Sequence, residues 1–149
     1  MNKRRKQVKI KECSLADAPI IAKLDYCYIE CPWNEEMIID AMQNGLYLFL
    51  KAEENEQVLG YGSVQIILDE AEVCNIAVFE EHRNKGVGKS ILNSIITYCK
   101  GRCVKKIFLE VSETNVVALR LYEKLGFSRV GVRENYYKSG NAIVMSLNL

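Results

Sequence analysis

The sequence predicts an α+β domain built on one mixed sheet of about seven strands. Three observations predict it. The apolar pattern switches repeatedly between a period of two and a period of 3.6. Three successive strand patterns are joined by connections too short for a crossover, so they must pair antiparallel. The strongest helical pattern is followed by another strand, which requires a parallel return.

The elements follow in order. Val8 and Ile10 alternate with Lys9 and Lys11, the pattern of an edge strand. Ser14 and Asp17 offer helix caps, and Pro19 suits a first turn. A helix reaching about Tyr28 turns Ala18, Ile21, Ala22 and Leu24 or Tyr28 toward the core. Cys31-Pro32-Trp33 breaks it. Asn34 caps a second short helix, with Glu35 and Glu36 where the dipole favours anions, and Asn44-Gly45 ends it. Residues 46–51 and 58–68 read as strands joined by the polar turn Glu53-Glu54-Asn55-Glu56, and residues 72–78 as a third strand. Val87, Ile91, Leu92, Ile95, Ile96 and Cys99 then form one helical apolar stripe, which Gly101 ends. Residues 106–111 return as a strand parallel to 72–78. Asn115 caps a helix through Leu125, with Gly126 beyond its end. Residues 130–137 and 142–147 make a hairpin across Lys138-Ser139-Gly140-Asn141.

Composition narrows the class. The 149 residues are 49% hydrophobic and 26% charged, with two prolines and nine glycines, which excludes disordered and collagen-like chains. One domain over residues 8–149, preceded by a basic tail at 1–7, buries about two thirds of its unfolded surface. A net charge of +1 gives no global field toward nucleic acid or a membrane, so neither is an expected partner. No apolar run spans a bilayer, and the basic start lacks the apolar run of a signal peptide, which points to the cytoplasm. In that compartment the six cysteines are expected to be reduced thiols. The spacings of Cys27/Cys31 and Cys99/Cys103 leave a zinc site conceivable. Cys27 falls in a helical pattern and Gly101 interrupts the second pair, so no metal is expected.

One segment suggests chemistry. Arg83-Asn84-Lys85-Gly86-Val87-Gly88-Lys89 lies between a strand and the strongest helix. Glycines there let backbone N–H groups converge, and the helix N-terminus adds partial positive charge, which together suit a phosphate. A glycine turn chosen for tight packing, with solvated basic residues, fits as well. Gly88-Lys89-Ser90 ends like a nucleoside-triphosphate loop, but the first glycine of that pattern would fall at Arg83. A dinucleotide fold fails because Gly86 and Gly88 have no third glycine and no second parallel unit follows.

Asn75-Ile76-Ala77-Val78, Arg83-x-x-Gly86-x-Gly88 and Leu121-Tyr122-Glu123-Lys124-Leu125-Gly126-Phe127 resemble the GNAT superfamily of N-acetyltransferases. Cys31-Pro32-Trp33, Leu68-Asp69-Glu70-Ala71, Leu109-Glu110-Val111, Asn135-Tyr136-Tyr137 and Ala142-Ile143-Val144-Met145 resemble its RimI type, the ribosomal-protein-alanine N-acetyltransferases. The likeness runs from about Val8 to Leu147. It departs at Phe79-Glu80, where the family commonly has Asp-Pro, and at Arg83, where many RimI-type proteins have Gln.

The resemblance implies the GNAT fold, with helices on both faces of the sheet, and acetyl-CoA as co-substrate. Ile76, Ala77 and Val78 would then present backbone groups to the pantetheine arm. Arg83, Asn84, Lys85, Gly86, Val87, Gly88 and Lys89 would cradle the pyrophosphate, and Asn115 would add a cofactor contact. Glu110 would be the general base and Tyr122 the general acid. Trp33, Glu70, Tyr136 and Tyr137 would line the acceptor side. The acceptor implied is the N-terminal alanine of a small-subunit ribosomal protein. Another amine, or a non-catalytic acyl-CoA-binding module, are the alternatives. In isolation Glu110 also reads as a strand-end ion-pair member, Tyr122 as a core residue, Trp33 as packing after Pro32, and His82 as a solvated loop residue.

Overall fold

A computed structural model describes residues 7–138 and 140–149. Residues 1–6 of the expected basic tail at 1–7, and Ser139 of the terminal turn, lie outside the described residues. The first strand, β1, is Lys9–Glu12, followed by α1 (Ala18–Tyr28), α2 (Glu35–Gln43) and the strands β2 (Tyr47–Glu54), β3 (Gln57–Ile67) and β4 (Glu70–Val78). Then come α3 (Val87–Gly101), β5 (Lys106–Ser112), α4 (Val116–Lys124), β6 (Ser128–Tyr137) and β7 (Gly140–Asn148). The strands form one seven-stranded sheet in the order β1-β2-β3-β4-β5-β7-β6. Among the described residues only β4 and β5 pair parallel, as the crossover through α3 demands. The sequence expectation of a mixed α+β sheet holds.

Local chemistry sets the boundaries. Ser14 and Asp17 form a capping box around a short 3-10 turn before α1, with the Ser14 amide donating to Asp17 Oδ2 at 2.8 Å. Asn34 Oδ1 accepts from Met37 N at 2.9 Å, and Asn115 Oδ1 accepts from Ala118 N at 3.2 Å, capping α2 and α4. Gly101 is the last residue of α3, as expected, and beyond it Cys103 takes the left-handed conformation at φ 60°. The expected polar turn at 53–56 is shorter. Asn55 and Glu56, at φ 51° and 64°, make a two-residue hairpin turn, so Glu53 and Glu54 stay in β2.

Alternation places apolar residues on both faces of the sheet. Leu48, Leu50, Val64, Val73, Leu109 and Met145 share one core with Ile91 and Ile95 of α3 and Leu119 of α4. Phe49, Tyr61 and Ala77 form a second core with Ile21 and Leu24 of α1 and Ile38 of α2. Helix α3 sits so close to β3 that a Cβ on Gly62 would lie 2.5 Å from Ile91 Cγ2.

Two features of β4 shape the site. Ser63 pairs with Asn75 and Val64 with Val73, so Cys74 is an extra residue, a bulge. It reverses the alternation: Val73 belongs to the α3 core, whereas Ala77 belongs to the α1/α2 core. Beyond it β4 leaves β5, and their parallel pairing covers only Glu70↔Lys106, Ala71↔Ile107 and Glu72↔Phe108. The residues from Asn75 to Val78 therefore border a splay between two parallel strands.

Candidate active site

The splay opens toward the glycine turn. Gly86 has φ 79° and Asn84 φ 61°, which swing the chain from the end of β4 into α3. The first intrahelical bond runs from Ser90 N to Gly86 O at 3.0 Å. The amides of Val87, Gly88 and Lys89 thus lie ahead of the helical bonding, at the positive end of the dipole. Lys85 and Lys89 are exposed beside them. A Cβ on Gly88 would sit 3.9 Å from Val78 Cγ2, which places the turn against the end of β4. These groups suit a pyrophosphate, and their nearness to the splay suits a ligand extending from the turn between the strands.

Arg83 is engaged differently from the other cations of this turn. Its Nε donates to Val78 O at 3.0 Å, and its guanidinium lies 4.4 Å from the Tyr28 ring centroid. The side chain ties the end of β4 to α1. Tyr28 in turn accepts from Glu80 N at 3.0 Å. His82 is not the solvated residue expected. It is half-buried, and its Nε2 is enclosed without a hydrogen-bond partner among the described residues.

Glu110 projects from β5 on the face opposite Leu109 and Val111, which are buried in the α3 core. Its carboxylate is mostly covered, and Arg133 Nε lies 2.8 Å from its Oε1. The Glu110 charge is the main cause that raises the Tyr136 phenol above its ordinary value. Arg133 also lies 5.7 Å from the Tyr136 ring centroid. Tyr136 meets Tyr137 edge to face at 4.9 Å. The register between β6 and β7 jumps from Arg133↔Ala142 to Tyr137↔Gly140, and the looped-out residues include Asn135 at φ 54°. Tyr136 is among those looped-out residues, so it departs from the regular alternation of the strand.

Tyr122 stands on α4, half-buried and 6.0 Å from the Phe127 ring. Burial raises its phenol. Tyr137 is pushed up to about 12, first by burial and then by Tyr136, Glu110, Tyr122 and Glu30. Asn115 caps the helix that carries Tyr122.

Glu70 and Glu110 line one open groove of about 640 Å³, together with Gln65, Glu72, Phe108 and Arg133. Trp33 lies apart from that lining. Its ring meets Tyr47 edge to face at 5.7 Å, over the α1/α2 core. The loop between α1 and α2 and the β6–β7 hairpin touch where Lys138 N donates to Glu30 Oε1 at 2.7 Å. The structure thus gathers Glu110, Tyr136 and Tyr137 around one carboxylate and holds Trp33 on the neighbouring loop. Sequence reasoning missed Arg133, whose partner is 23 positions earlier and a strand away. Its basic character beside the Asn135-Tyr136-Tyr137 motif was the available signal.

A sheet splayed between parallel strands, with a glycine-rich helix start at its mouth, defines the class. The acetyltransferase (GNAT) family matches residues 15–127, and the chain belongs to that family. It is accordingly an N-acetyltransferase with acetyl-CoA as co-substrate. The ribosomal protein bS18-alanine N-acetyltransferase of Haemophilus influenzae is 42% identical over 112 residues, 72% of this chain and 76% of that protein. Its counterpart in Salmonella typhimurium is 33% identical over 138 residues, 90% of this chain and 93% of that protein. The crystal structure of the ribosomal-protein-S18-alanine N-acetyltransferase from Escherichia coli superposes with a TM-score of 0.88 at 30% identity, covering 95% of this chain and 94% of that one. Among the described residues, no helix is long and apolar enough to cross a membrane, and no group of three or more His, Cys, Asp or Glu side chains is placed to hold a metal ion.

Proposed function

We propose that the protein acetylates the N-terminal alanine of ribosomal protein bS18, in the cytoplasm, through a single catalytic domain over residues 8–149. The observation that supports this most directly is the likeness to bS18-alanine N-acetyltransferases over nearly the whole chain, which takes in the β5 and β6–β7 segments that carry the Glu110 cluster.

Transfer to an amine needs three services from the protein. The incoming ammonium must lose a proton, and Glu110 takes it, directly or through a water. Negative charge develops on the thioester oxygen as the amine nitrogen bonds to the carbonyl carbon, and a backbone N–H from the Ile76–Val78 stretch of β4 stabilises it. The carbon–sulfur bond then breaks, Tyr122, kept protonated by burial, gives its proton to the departing sulfur, and the second proton shed by the acylated nitrogen restores the phenol through solvent. The amides and lysines of the 84–89 turn, with Asn115, hold the rest of the co-substrate. Trp33, Glu70, Tyr136 and Tyr137 line the acceptor side. Arg83 contributes to the turn by tying it to Tyr28 and Val78.

The test incubates the enzyme with acetyl-CoA and peptides beginning with Ala, Ser or Met, plus a lysine peptide blocked at its N-terminus. Mass spectrometry then identifies the acetylated product. The alanine peptide with the cognate bS18 sequence is expected to react fastest. Labelling confined to the blocked lysine peptide would overturn the assignment.

A further inference from the structure

Asp25 is a carboxylate that the proposed chemistry does not use, and it is fully buried on α1 at 0% exposure. No ion pair to it occurs among the described residues. Three donors satisfy it instead. The Tyr61 hydroxyl from β3 donates to Oδ1, the Trp33 backbone N–H donates to Oδ2 at 3.2 Å, and Asn75 Nδ2 from β4 approaches Oδ2 at 3.5 Å. The Asp25 carbonyl also accepts from Ile29 N at 2.8 Å, where α1 ends. Burial raises the Asp25 carboxyl, opposed by the bonds from Tyr61 and Trp33.

A buried carboxylate without a cation is a costly way to fill a core, and apolar residues of like volume commonly do it better. What an apolar residue cannot do is accept hydrogen bonds from several elements at once. Asp25 joins the α1–α2 loop at Trp33 to Asn75, the residue after the Cys74 bulge, on the stretch of β4 that no longer pairs with β5. The loop bearing Trp33 and the strand bordering the splay are thereby held in one register.

We propose that Asp25 is a positioning residue, which sets the acceptor-side loop at Trp33 against the splayed strand β4. The proposal rests on the reading of Trp33 as part of the acceptor side.

Two variants separate positioning from mere packing. Asp25→Leu keeps the volume and removes every acceptor. Asp25→Asn keeps an oxygen for Trp33 and Asn75 while its amide donates to the Tyr61 oxygen. The chain has one tryptophan, so Trp33 fluorescence reports the loop directly. Asp25→Leu is expected to red-shift Trp33 emission, increase its quenching by acrylamide, and raise KM for an alanine peptide of the cognate bS18 sequence about tenfold. KM for acetyl-CoA should stay within about threefold, because the 84–89 turn is untouched. Asp25→Asn should return both readouts to parent values. Tyr61→Phe, which spares the Trp33 bond, should leave them unchanged while lowering Tm.

Parent emission in a folded Asp25→Leu protein would overturn the tether. Altered emission with unchanged peptide KM would overturn the link to the acceptor. Should Asp25→Leu not fold, amide exchange in the parent decides: the Trp33 amide must be protected beyond its loop neighbours, and exchange at the unprotected rate overturns the proposal. If the parent acetylates no peptide, the acceptor reading fails, whereas the emission and exchange results still judge the tether.

Discussion

The Arg133 guanidinium reaches across β7 to the Glu110 carboxylate, with Nε 2.8 Å from Oε1. The two ends differ in environment: the Glu110 side chain is 13% exposed and that of Arg133 is 60% exposed. An ion pair so open at one end contributes about 0–1 kcal/mol to stability. Its consequence is geometric, since it fixes one oxygen of the proposed base and leans Arg133 on Tyr136.

Arg133→Gln is therefore expected to change Tm by little while lowering kcat about tenfold through misplacement of Glu110. Acetyl-CoA binding should be unaffected. Thermal denaturation and steady-state kinetics check this, and a loss of stability with full turnover would show that Arg133 serves the fold rather than the reaction.

Glu110→Gln removes the proposed proton acceptor but keeps the shape. Turnover should fall by about a hundred- to ten-thousandfold, with the protein folded and still binding acetyl-CoA. Near-normal turnover would leave the carboxylate as an ion-pair member alone, the other reading of a glutamate at this position.

Tyr122 predicts a pH dependence. Burial raises its phenol above the ordinary 10.0, so the protonated, acid-competent form persists as pH rises through the neutral and mildly alkaline range. Tyr137, pushed up to about 12, also stays neutral there. The kcat profile should thus show no alkaline loss from Tyr122 until above pH 10, and Tyr122→Phe should lower kcat more than it changes KM. An alkaline limb well below that value in the parent, absent in Tyr122→Phe, would contradict the assignment.

Gly86→Ala tests the turn. No atom lies within 4 Å of the new methyl group, so the φ of 79° alone makes the substitution costly. That strain is about 1 kcal/mol. If the turn relaxes to escape it, the Val87, Gly88 and Lys89 amides move, and KM for acetyl-CoA should rise about fivefold with kcat little changed. An unchanged acetyl-CoA KM would mean that these amides do not hold the co-substrate.

Local signals made most of the fold legible. Ser14, Asn34 and Asn115 mark helix starts by their own side chains, and the apolar stripe of α3 repeats at the helical period. The bulges were not legible. Cys74 carries no signature of an extra residue, yet it reverses which face Ala77 joins. The two-residue turn at Asn55-Glu56 was hidden by charged neighbours that resemble loop residues. The candidate site was legible where a motif carried it, at Gly86, Glu110, Tyr122 and Tyr136. Arg133 and Asp25 were not, because their partners lie across the sheet and an acidic residue on a helix ordinarily reads as a solvated one.

Asp25 also predicts how stability responds to pH. Its folded-state carboxyl lies above the unfolded value of 3.8, with burial as the leading cause, so folding favours the protonated form. The associated stability is fully present below pH 3.8 and is lost as pH rises through the folded value. Asp25→Asn cannot titrate and keeps the same shape, and every other carboxylate is common to both proteins. The Tm of the parent minus that of Asp25→Asn should therefore grow as pH falls from neutral toward 3.8 and level off below it. The opposite slope, with the parent losing ground on acidification, would mean that the three donors outweigh desolvation and hold Asp25 as a stabilised anion.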